Sequence, residues 1–120
     1  MVGTPYCNLN DAAYLEQGLQ YGPVQIWYTK GEHFFRFNSR SAIPAMDTLE
    51  DTHSMIGSII ETDKDEIFGM LQGETWSPRG EAWSLIDELG VAHTSMSVGD
   101  VIVIGEQAWV CAPVGWEELD

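Results

Sequence analysis

The segment from Ser97 to Trp116, SVGDVIVIGEQAWVCAPVGW, leaves the chain little choice of structure. Two runs, VIVI and AWVCA, are rich in β-branched and aromatic residues. Both are too short for a helix, and only GEQ separates them. They predict a β-hairpin whose glycine supplies the positive φ of a tight turn. Just before them, SVGD fits a type II turn with Gly99 at the position that needs φ > 0. Ser97 and Asp100 are turn residues that bond nearby backbone. Pro113 and Gly115 end the second strand and turn the chain, so that Trp116 folds back.

Upstream, NDAAYLEQGLQYGP predicts a short helix capped by Asn10 and stopped by Gly18 and Pro23. In VQIWYTKGEHFFRFNS, Val24, Ile26 and Tyr28 alternate with Gln25 and Trp27, and Phe35 and Phe37 alternate with Phe34 and Arg36. This predicts a second hairpin around TKGEH. MDTLEDTHSMIGSIIE is expected to be helical, with Asp47 and Glu50 at capping-box spacing and Leu49, Ile56, Ile59 and Ile60 on one face. DEIFGMLQGE alternates Ile67 and Leu71 against Phe68 and Met70, which predicts a strand. SPRGEAWSLIDELG predicts the clearest helix: Ser77 as N-cap, Pro78 at the first position, Ala82, Leu85, Ile86 and Leu89 on one face, and Gly90 just past the end. The expected fold is α+β, a small and mostly antiparallel sheet of about five strands with two main helices packed on one face. One domain is expected to span residues 1–120.

Charge is uneven. The net charge is −14. Residues 1–40 balance Asp11, Glu16 and Glu32 against Lys30, Arg36 and Arg40; the later residues set 16 acids against Lys64 and Arg79. Such a field attracts basic partners and repels nucleic acid and anionic membranes. No apolar run is long enough to span a bilayer, and the start has neither the basic nor the apolar region of a signal peptide. A cytoplasmic protein is expected, with Cys7 and Cys111 as reduced thiols.

The residues around the turn resemble the signature of the YodL-like family, small proteins of phages, plasmids and integrated mobile elements. His93, Ser95, Met96, Ser97, Val98, Gly99, Asp100 and Val101 match its first part, and Gly115 and Trp116 match its aromatic ending. The likeness is strongest over residues 92–116 and reaches back more weakly to about Asp65; residues 1–60 lie outside it. The resemblance implies no catalytic chemistry and no cofactor. It implies a mobile-element origin, often near genes that counter host defence.

His93, Ser95, Ser97 and Asp100 hold the residue types of a nucleophile and base, but a triad needs groups gathered in space and an oxyanion pocket. Four residues in one turn read as a fold signature instead, and no catalytic residue is assigned. His33, His53 and His93 are scattered, and TDKDE lacks the glycine and distal Glu of a calcium loop, so no metal site is assigned.

Five tryptophans are many for this length. Core packing accounts for most of them, and an aromatic contact surface is the other reading. The acids read as solubility, as salt adaptation, or as an imitation of nucleic acid, whose duplex carries one charge per about 1.7 Å. The expectation is a non-enzymatic acidic binding protein of a phage or other mobile element. It would occupy a basic surface of a host protein, a nucleic-acid-binding surface being one such case, without touching nucleic acid or membrane itself. Trp27, Trp76, Trp83, Glu81, Asp87 and Glu88 are its candidate partner-binding residues. The alternative is a regulator or scaffold with an apolar aromatic face and no charge mimicry; a small enzyme with an unrecognised site comes third.

Overall fold

The computed structural model describes residues 23–59, 61–77, 79–80 and 82–119. The expected N-terminal helix, Cys7, Ile60, Pro78 and Glu81 lie outside the described residues. Among the described residues, five strands form one antiparallel sheet: β1 (Val24–Thr29), β2 (His53–Ile59), β3 (Val101–Ile104), β4 (Gln107–Cys111) and β5 (Trp116–Leu119). Their spatial order is β2-β1-β3-β4-β5. Short helices α1 (Phe34–Asn38), α2 (Leu49–Thr52), α3 (Lys64–Met70), α4 (Gly73–Trp76) and α5 (Trp83–Glu88) connect and cover them. The α+β class and the antiparallel sheet agree with the sequence. Among the described residues the helical layer is built of short pieces, which the expected two main helices fit only loosely.

Each face of the sheet has its own core. On one face, Val24, Ile26, Tyr28, Ile56, Ile59 and Ile102 meet Ile67, Leu71, Trp76, Ala82 and Ile86 from α3, α4 and the α5 region. On the other, Val101, Val103, Ala108 and Val110 meet Leu49, with Trp27 and Leu119 packed alongside. Alternation along β1 separates the two sets. A bulge opposite Ile26 and Trp27 breaks the β1–β2 register, so Ile56 joins the first core.

The local turns are as the sequence predicts. Asp100 N–H bonds Ser97 O at 3.0 Å, and Gly99 has φ 102°. Gly105 and Glu106 join β3 to β4. Ala112 N–H bonds Gly115 O, and Trp116 pairs with Cys111. At the end of α5, Gly90 N–H bonds Asp87 O and Val91 N–H bonds Ile86 O. That is a Schellman closure with Gly90 at φ 77°.

Three segments correct the reading. The expected second strand around residues 34–37 is α1: Phe37 is buried and Phe35 is 81% exposed, so aromatic content misled where tertiary pairing decided. Of the expected helix at 47–61, only Leu49–Thr52 is helical, preceded by a 3₁₀ turn without a side-chain cap; 53–59 is β2. Ile56, Gly57 and Ile59 fit the sheet better than a helix interior. The expected strand DEIFGMLQGE is α3, capped by Asp63 Oδ1, which accepts from Asp65 N–H (2.9 Å) and Glu66 N–H (3.2 Å). Ile67 and Leu71, four apart, fit a helix face as well as a strand face. The last helix is also shorter than expected, because Ser77 Oγ accepts from Ala82 N–H across a turn before Trp83.

Candidate functional site

The turn residues and the open ends of β1 and β2 meet in a buried polar network. Asp100 is 0% exposed. Its Oδ1 accepts from Thr29 N–H at 2.8 Å and from the Thr29 hydroxyl at 3.1 Å. Its Oδ2 accepts from Ser97 N–H at 2.8 Å and lies 2.8 Å from His93 Nε2. The antiparallel register places Thr29 opposite His53. His53 Nε2 lies 2.8 Å from Gly99 O, and its Nδ1 lies 2.8 Å from Thr52 Oγ1. A carbonyl only accepts, so Nε2 carries the hydrogen and the Thr52 hydroxyl donates to Nδ1.

Aromatic rings close the network. The His93 ring stacks on Tyr28 at 4.7 Å and 9°, and Phe34 lies 4.7 Å from it at 51°. Phe37 lies 5.2 Å from His53. The Tyr28 hydroxyl lies 2.9 Å from Thr94 O, which also accepts from Trp76 Nε1 at 2.7 Å. Burial raises the Tyr28 phenol well above its ordinary value, with Asp100 adding to the shift. Burial lowers His53, against the opposing bond to Gly99 O. Burial, helped by Asp100, pushes the Cys111 thiol up to about 11.

A His–Asp pair is a general-base geometry, but the hydroxyls of the motif are engaged elsewhere. Ser95 Oγ accepts from Gly73 N–H at 2.7 Å, and Ser97 Oγ donates to Ser95 O at 2.8 Å. His93 Nδ1 is buried and has no hydrogen-bond partner among the described residues. What this geometry does is tie the turn to the ends of β1 and β2. Sequence reasoning missed Thr29 and His53, which reach the motif only through strand pairing. Among the described residues, no group of three His, Cys, Asp or Glu side chains is placed to hold a metal ion.

The candidate partner-binding residues are scattered. Trp76 is 0% exposed, so in this fold it is a core residue and not a surface anchor. It is the last residue of α4, and its indole Nε1 donates to Thr94 O at 2.7 Å. Trp27 is half-buried on the Leu49 face, its Nε1 bonded to Gln25 Oε1. Trp83 is 48% exposed on α5, and Asp87 and Glu88 are exposed beside it. Trp83 and Asp87 are four residues apart and share one side of the helix. The structure therefore puts Trp83, Asp87 and Glu88 on one short helix, with only Asp87 on the side of Trp83, and puts Trp27 on the opposite side of the sheet. Glu81 lies outside the described residues.

Apart from buried Asp100 and half-buried Glu61, every described carboxylate is exposed. Glu50 and Asp51 stand on α2, which packs on one face; Asp65, Glu66, Asp87 and Glu88 stand on helices over the other. The acids thus lie on both sides of the sheet, not along one stripe.

Compared with family models, with curated proteins and with solved structures, the chain has no match. Among the described residues no helix is long and apolar enough to cross a membrane.

Proposed function

We propose that this is a non-enzymatic acidic binding protein that occupies a basic surface of a host protein. The observation that carries the reading is the exposure of nearly all described carboxylates in a chain of net charge −14. Such a surface steers a basic partner into contact and releases it as salt rises. Trp83, exposed on α5 with Asp87 on the same side, offers an aromatic anchor inside that field. Imitation of a duplex needs the acids along one face; their spread favours recognition of a basic protein by a local patch. The likeness of residues 92–116 to the YodL-like signature supports a phage or mobile-element origin and action in the host cytoplasm.

Affinity capture from host lysate at low and high salt supplies the partner, and kinetics with that partner supply the test. Reversal of Glu81, Asp87 and Glu88 to Lys is expected to slow association more than it speeds dissociation. An association rate indifferent to salt and to the triple reversal would overturn the reading. One observation favours a second reading, a scaffold with an apolar contact face: Phe35 is 81% and Val114 92% exposed. A partner retained at high salt and lost on Phe35→Ser would support it.

A further inference from the structure

A groove of about 160 Å³ opens between α3 and the turn that joins β4 to β5. Asp65 and Phe68 form one wall; Ala112, Pro113 and Trp116 form the other, with Cys111 beneath. Small-molecule pockets run to roughly 300–1,000 Å³, so this groove takes one side chain and not a cofactor. Phe68 is 38% exposed, Trp116 is half-buried and Asp65 is exposed. Two rings and a carboxylate face a common space that, among the described residues, no lysine or arginine lines.

The adjoining tryptophan shows what such a ring holds. Trp109 and Trp116 both project to the helix-covered side of β4 and β5, and Lys64 Nζ sits 4.4 Å from the Trp109 ring. The chain's own cation is thus placed on Trp109, beside the groove. A guanidinium suits the remaining space better than an ammonium. It is flat, weakly hydrated, stacks on rings and meets a carboxylate with two parallel hydrogen bonds.

We propose that this groove receives an arginine side chain of the basic partner, with Asp65 as counter-charge and Phe68 and Trp116 as ring walls. The inference rests on the binding reading above and names the chemistry that the partner must present.

The test is an NMR titration of the whole chain with N-acetyl-arginine amide, and with its lysine and citrulline counterparts. The arginine compound is expected to move the Trp116 indole N–H and the amides of Asp65, Phe68 and Ala112 saturably. Citrulline, of the same shape without the charge, leaves them in place, and lysine binds more weakly. Asp65→Asn weakens arginine binding by roughly three- to five-fold. Phe68→Leu weakens it too while keeping the apolar volume. Both changes sit on an exposed helix surface, and unchanged spectra elsewhere show an intact fold. Equal shifts with citrulline, shifts spread evenly to Asp87, Glu88 and Glu106, or no shift at Trp116 would overturn the proposal. The two readings fail separately. If Asp65→Asn meets the captured partner at the parental, salt-dependent rate, the groove proposal falls and acidic steering stands.

Discussion

Asp100 Oδ1 holds Thr29 twice, through its backbone N–H at 2.8 Å and its hydroxyl at 3.1 Å. The two residues are 71 positions apart in the chain. Through this contact the turn before β3 fixes the end of β1, beyond the last pair of the β1–β3 ladder at Trp27 and Val101.

The contact makes Asp100 a stability residue. Asp100→Ala would leave the N–H groups of Thr29 and Ser97 buried without an acceptor and His93 Nε2 without its partner. Each buried donor left without an acceptor costs about 1–3 kcal/mol. A large fall in the urea midpoint is expected, with Asp100→Asn less severe because its remaining oxygen still accepts. A midpoint at the parental value in both variants would show that the network does not hold the fold.

Gly99 is fixed by two independent constraints. Its φ of 102° excludes a β-branched residue, and a Cβ there would lie 2.9 Å from Phe37 Cβ and 3.0 Å from Phe37 C. Gly99→Val is expected to cost about 3 kcal/mol or more. Ser97→Ala loses one hydrogen bond to Ser95 O, worth about 1 kcal/mol. Thermal melts of both variants decide the order. A parental melt for Gly99→Val, with binding lost in Ser97→Ala, would make the motif a site and not a turn.

What the sequence disclosed is what short-range chemistry controls. The turn at Ser97–Asp100, the β3–β4 hairpin and the glycine closure at Gly90 each depend on neighbours within a few residues. Residues 53–59 were harder, because Ile56 and Ile59 suit a helix stripe until β1 offers a pairing edge. Ile67 and Leu71 satisfy both periods, and the Asp63 cap decides between them. The polar network was out of reach, since Asp100 explains itself locally as a turn residue. Its bonds to Thr29, and the bond of His53 to Gly99 O, exist only once β1 and β2 have paired. Trp76 and Trp83 differ by burial alone, which one-dimensional pattern does not separate.

His53 makes stability depend on pH. Burial lowers its folded-state value below the ordinary imidazole 6.5, so the unfolded chain binds the proton more readily. Its contribution is full above 6.5 and is lost as pH falls below that value through the folded one. Urea midpoints measured from about pH 7.5 down to pH 5 are expected to fall across that window. His53→Gln, which keeps a donor for Gly99 O, should be less stable at neutral pH but show a flatter profile. An equally steep profile in the variant would assign the dependence to another group.

Cys111 is a free thiol, buried and pushed up to about 11 by desolvation and by Asp100, with Arg40 opposing. Only the thiolate attacks an alkylating agent. At pH 8 the ionised fraction is roughly two hundred-fold below that of an ordinary thiol near 8.5, and burial slows access further. Iodoacetamide should therefore leave Cys111 unmodified on a timescale that consumes an exposed cysteine. In urea the same residue should react at the ordinary rate, and peptide mass spectrometry separates it from Cys7. Because Cys111 lies beneath the groove beside Trp116, the measurement also reports on that wall. Fast modification in the native protein would mean that the β4–β5 turn opens readily, and the groove would then lack the fixed floor that a seated arginine requires.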